Sequence, residues 1–137
     1  MNKSSSLIAS ALILLLSVAG SANAAAPEAR SERVALASGA TSRVIKGQIK
    51  GDHYVDYALR GGAGQTLSVE MKSSNASNYF NINPPGSEMS LFIGSTSGSR
   101  FSGVLPVEGD YTVRVYLMRN AARRNESGNY TLTLGLT

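Results

Sequence analysis

The sequence of 137 residues has no cysteine, no tryptophan and a single histidine. Without cysteine there is no disulfide framework, no thiolate nucleophile and no soft metal ligand, so stability has to come from a packed core. One histidine, His53, cannot build the multi-histidine ligand sets of transition metals, and no acidic calcium loop is present; neither a metal nor a cofactor is expected. Long apolar runs are missing too, with one exception. Leu7 to Gly20 runs apolar for about fourteen residues, after Asn2 and Lys3 and before Ala22-Asn23-Ala24. That is short of the roughly twenty residues a membrane helix needs, and it has the layout of a secretory signal ending in a small-residue cleavage site. Residues 1–24 are therefore expected to be removed, and the chain to reach the periplasm or the medium with no stable membrane insertion. Residues 25–32, made of Ala, Pro and charge, read as a flexible lead-in, and 33–137 as one domain. With Lys3 gone, twelve basic residues face nine acidic ones. This mild and mostly scattered excess, with no stacking aromatics beside it, does not suit a nucleic-acid partner.

Signals for catalysis are equally thin. The loop Arg60 to Thr66 superficially resembles a phosphate loop, but it lacks the lysine and leads into a strand where a helix N-terminus is needed. Gly94 to Gly98 has Thr96 where a nucleophile elbow needs serine. His53 shares a phase with Val55, Tyr57 and Leu59 and reads as a core residue of a strand. Asp52 and Asp56 lie about 13 Å apart along an extended chain, beyond the roughly 5 to 9.5 Å that glycoside hydrolysis demands. No enzyme is expected.

What the chain does have is alternation. Gln65 to Lys72 places Leu67, Val69 and Met71 on one side and Thr66, Ser68 and Glu70 on the other. Arg33 to Ala37, Arg43 to Ile49, His53 to Leu59, Tyr79 to Ile82, Glu88 to Ile93, Arg100 to Leu105, Tyr111 to Met118 and Asn129 to Leu136 read likewise as strands, with turn signals about every ten residues. The fold class is all-β, a single-domain β-sandwich, jelly-roll-like, of roughly eight strands. Leu67, Val69, Met71, Val113, Val115, Leu132 and Leu134 should line its interior.

Between the last two strands runs Arg119 to Gly128, ten residues long and carrying three arginines within six positions. Ordinary hairpin loops have two to five residues, and long ordered ones tend to be functional. One helical turn over Asn120 to Arg123 would put Arg119 and Arg123 four apart on one face, two planar guanidiniums suited to gripping carboxylates. Pairing of these arginines with Glu126 and Glu108, or simple solvation of the loop, accounts for the same charges.

Gly47 to Met71 and Glu108 to Leu134 together resemble the bacterial periplasmic inhibitors of g-type lysozyme, and more loosely the pre-peptidase C-terminal domains of secreted proteases. The similarity spans nearly all of the mature chain and is weakest from Ser73 to Arg100. Its most specific part is a G-x-Y-x-x-R-V-x-x-x-R-N-x-A-R pattern, met by Gly109, Tyr111, Arg114, Val115, Arg119, Asn120, Ala122 and Arg123. The resemblance implies a β-sandwich whose loops enter the cleft of a host lysozyme, with Arg119 and Arg123 engaging its acidic groups. It also implies contacts from Asp52, Glu108, Gly109 and Tyr111. In the family a serine precedes the glycine matching Gly109 and an aromatic residue follows the one matching Gly51, where this chain has Glu108 and Asp52. Both changes place negative charge where an acidic cleft would come. The alternative implied by the looser resemblance is an envelope binding module that holds glycan or a protein partner.

Overall fold

The alternating segments pair into two sheets packed face to face. The computed structural model describes residues 29–36 and 40–137; the expected signal segment lies outside the described residues. One sheet has the order β1-β3-β8-β5-β6, formed by β1 (Ala29–Val34), β3 (Tyr54–Gly61), β8 (Gly109–Leu117), β5 (Asn78–Asn83) and β6 (Phe92–Ile93). The other has the order β2-β9-β4-β7, formed by β2 (Ser42–Lys50), β9 (Ser127–Leu136), β4 (Thr66–Ser73) and β7 (Arg100–Val104). All neighbours run antiparallel except β1 beside β3. Two short helices complete the described chain, α1 (Gly94–Ser97) and α2 (Arg119–Arg123). This is the all-β sandwich that the alternation predicts, with nine strands in place of about eight.

β3, β4, β5, β8 and β9 bury every second residue, so the two inner faces meet in one core. Leu67, Val69, Met71, Val113, Val115, Leu132 and Leu134 are all buried there, as their phase predicts, together with Val55, Tyr57, Phe80 and Ile82. A polar bridge crosses this core between Tyr57 and Tyr130, whose hydroxyls lie 2.6 Å apart. Burial, and then the Tyr57 hydroxyl, hold the Tyr130 phenol well above its usual range.

Most connections pass from one sheet to the other, so loops gather at the two ends of the sandwich. The turn after β2, the loop after β4 and the helix after β8 share one end, called the tip below. The tip is knit by backbone bonds from Gly51 N–H to Glu126 O (2.8 Å), Met118 N–H to Ser77 O (2.9 Å) and Ser74 N–H to Asn129 O (2.9 Å).

Three sequence expectations need correction. His53 is exposed and precedes β3, because the strand begins at Tyr54; it keeps the phase of Val55 but lies beyond the end of the packed sheet. Of Glu88 to Ile93 only Phe92–Ile93 forms a strand, and Met89, Leu91 and Ile93 are exposed while Phe92 turns inward. β1 starts at Ala29, inside the segment read as lead-in, since a parallel edge strand needs backbone pairing with β3 more than an apolar face.

Candidate functional site

The tip is built around α2. Its chain leaves β8 through Met118, whose carbonyl accepts the first helical bond from Ala122 N–H at 2.9 Å. Ala121 is fully buried and Ala122 packs against the core, so this face anchors the turn. At 3.6 residues per turn, Arg119 and Arg123 stand roughly 40° apart and away from Ala121, which leaves both guanidiniums in solvent. The helix then stops at Asn125, whose φ of 57° is left-handed. Its N–H bonds Ala122 O at 2.9 Å and the next N–H, of Glu126, bonds Ala121 O at 3.1 Å, the paired closure of a helix C-terminus in which Asn is second only to Gly.

The turn after β2 lies against this closure. Gly51 has φ 62°, and a Cβ there would sit 2.8 Å from Asn125 Oδ1, so both conformation and space call for glycine. Asp52 follows it. Gly51, Asp52, Arg119, Ala122, Arg123 and Asn125 together line an open hollow of about 370 Å³.

The third arginine behaves differently. Arg124 Nε donates to Glu126 Oε2 at 2.6 Å, while Glu126 Oε1 accepts from Asn75 Nδ2 at 3.0 Å. The Asn75 bond and then Arg124 hold the Glu126 carboxyl below the usual carboxylate range. Arg124 is thereby committed to tying the loop after β4 to the tip. Among the described residues, six more arginines have a hydrogen-bond or ion-pair partner: Arg30 with Glu32, Arg33 with Asp110, Arg43 with Ala35 O, Arg60 with Glu108, Arg100 with Glu70 and Arg114 with Asp56. Arg119 and Arg123 have none. Of the pairing of the three loop arginines with Glu126 and Glu108, left open by the sequence, the Arg124–Glu126 pair forms, while Arg119 and Arg123 join neither.

The structure divides the six residues singled out in the sequence. Asp52, Arg119 and Arg123 come together in the hollow. Glu108, Gly109 and Tyr111 do not join them, because nine residues of β8 at about 3.4 Å each put them some 30 Å away, at the opposite end. Tyr111 is 1% exposed and its hydroxyl donates to Val107 O at 2.6 Å. Gly109 has φ 148° with Pro85 2.6 Å from where its Cβ would be, and Glu108 pairs with Arg60 at 3.4 Å. Tyr111 and Gly109 serve the local fold, while Glu108 stays exposed in a surface ion pair. Of the two acidic departures, only Asp52 therefore reaches the arginines. Asn125, which shapes the tip, was not singled out in the sequence, and Glu126 was named there only as a pairing partner of the arginines; an Asn directly after a basic, alanine-rich turn is the signal that marks such a helix end.

No protein-family model matches the chain. A curated Escherichia coli (strain K12) protein described as an inhibitor of g-type lysozyme is 30% identical over 125 residues, which cover 89% of this chain and 91% of that protein. The chain belongs to the g-type lysozyme inhibitor family. The solved Aeromonas hydrophila PliG, described as a periplasmic lysozyme inhibitor of g-type lysozyme, superposes with a TM-score of 0.74 at 31% identity, covering 82% of this chain and all (100%) of that one. The pre-peptidase C-terminal domain of a Bacillus anthracis collagenase superposes with a TM-score of 0.52 at 17% identity, over 84% of this chain and 100% of that one, and shares the fold alone. Like the other members of the inhibitor family, this one is a non-catalytic protein. Its described residues contain no cluster of His, Asp and Glu able to hold a metal and no helix long and apolar enough to cross a membrane.

Proposed function

We propose that the mature chain inhibits g-type lysozyme in the periplasm or outside the cell, by inserting the α2 tip into the enzyme's substrate cleft. The relatives' descriptions support the target. The mode rests on one observation: Arg119 and Arg123 are the two arginines among the described residues without a partner, and they share the exposed face of a turn that is itself anchored on the core. A glycosidase must keep carboxylates in its cleft to cleave its substrate, so a guanidinium pair entering there meets partners the target cannot discard. Each fork matches a carboxylate through two parallel charge-assisted bonds. Inhibition is then steric and electrostatic, with no bond made or broken.

The test is lysis of bacterial cell walls by g-type lysozyme in the presence of the purified mature domain. The proposal expects dose-dependent inhibition by wild type and weaker inhibition by Arg119→Lys, which keeps the charge but loses the planar fork. Undiminished lysis at saturating protein would refute it.

A further inference from the structure

On the outer face of the β1-containing sheet, three tyrosines stand side by side. Tyr79 of β5 is directly opposite Tyr116 of β8, and Tyr54 of β3 lies one position beyond the Val55–Val115 pair, so it flanks Tyr116 from the other side. At about 4.8 Å between strands the row spans roughly 10 Å. It lies at the tip end of the sheet: Tyr116 precedes Arg119 by three positions, and Met118, 38% exposed, sits between them.

The next row inward holds Tyr54 and Tyr116 in place. Arg114 is clamped by Asp56 through two bonds, 2.7 and 2.8 Å, and lies over the Tyr54 ring 4.2 Å from its centre. The Tyr116 hydroxyl donates to Asn81 Oδ1 at 2.9 Å. Side chains fixed in this way lose little freedom when a partner docks.

We infer that Tyr54, Tyr116 and Tyr79 form a second contact patch, on which the rim of the lysozyme cleft rests while Arg119 and Arg123 occupy its interior. This rests on the reading of the tip given above. A stable protein complex covers about 800 Å² on each partner, and a five-residue helix is only about 7.5 Å long, so the interface has to continue onto neighbouring surface. Two faces border the tip. The outer face of the β2-containing sheet offers Lys46, Gln48, Lys72, Asn129 and Thr131, rich in lysine, which interfaces disfavour. The tyrosine row, with Met118 and the arginines, has the residue types that interfaces favour.

The experiment is surface-binding kinetics of g-type lysozyme with wild type, Tyr79→Ala, Tyr116→Ala, Lys46→Ala as the control on the other face, and Arg119→Ala, each over a range of salt concentrations and each with its melting temperature. The tyrosine variants should dissociate about tenfold faster or more, with the salt dependence of binding unchanged, and Lys46→Ala should bind as wild type. Should an alanine variant melt early, fluorine NMR of fluorotyrosine-labelled wild type gives the same answer: the Tyr54, Tyr79 and Tyr116 signals should shift on adding lysozyme while those of buried Tyr57 and Tyr130 stay. Wild-type kinetics in both tyrosine variants and unmoved signals would overturn the patch, and if Arg119→Ala still weakens binding the plug survives without it. The reverse pattern, loss in the tyrosine variants alone, would support the patch and remove the plug. Retention of wild type on insoluble peptidoglycan, lost in the tyrosine variants while lysozyme affinity holds, would make the row a glycan platform and overturn the inference.

Discussion

Of the nine arginines among the described residues, seven have a protein partner and two, Arg119 and Arg123, have none. The two forks are exposed to solvent, and giving up that contact is favourable only where a carboxylate replaces it in a matching geometry. Asp52 lies in the same hollow and works against this, because it brings a like charge toward the acidic groups the arginines are built to meet. Asp52→Asn should therefore tighten binding to g-type lysozyme by about 1 kcal/mol, roughly fivefold, with the gain shrinking at high salt. Titration calorimetry at two ionic strengths reads this directly. Weaker binding of the variant would mean that Asp52 itself accepts a hydrogen bond from the target.

At the scale of elements, α2 shows how a short helix is made precise by its ends. Ala121 docks on the core, Met118 opens the turn, and Asn125 closes it in a left-handed conformation. Asn125→Ala should cost about 1 to 2 kcal/mol, seen as a lower melting temperature, and should weaken lysozyme binding by loosening Arg123; Asn125→Gly should melt close to wild type. Equal melting of the alanine variant and wild type would show that the closure carries no strain. The helical turn was legible in the sequence because Ala121 and Ala122 favour helix where the flanking alternation stops. Other elements were not. Met89, Leu91 and Ile93 alternate as faithfully as Leu67, Val69 and Met71, yet periodicity does not say which face is covered, and at the sheet edge it is Phe92 that turns inward. His53 kept the phase of β3 past its end, and β1 hid its pairing because its bonds are made by backbone, not by an apolar stripe.

For the whole molecule, the sandwich separates holding from binding. The end carrying Glu108, Gly109 and Tyr111 is closed by a buried tyrosine and ion pairs, while the tip keeps unpaired charge and tyrosines in reach of a partner. The sequence placed both ends in one site because a motif read along a strand does not reveal that its halves lie on opposite ends of the molecule. Val115, fully buried in β8, is where the two ends depend on one core. Val115→Asp should unfold the domain by burying an unpaired charge, and a soluble variant with wild-type melting would contradict the packing described. The central claim, that the unpaired arginines are what the rest of the fold presents, is tested most directly by titrating g-type lysozyme with wild type, Arg119→Ala, Arg123→Ala and Arg124→Ala. Loss of either Arg119 or Arg123 should weaken inhibition by about 2 to 5 kcal/mol, some thirtyfold or more, at unchanged melting temperature, and loss of Arg124 should matter far less. Equal inhibition by all four proteins would contradict the account, even if the wild type inhibits.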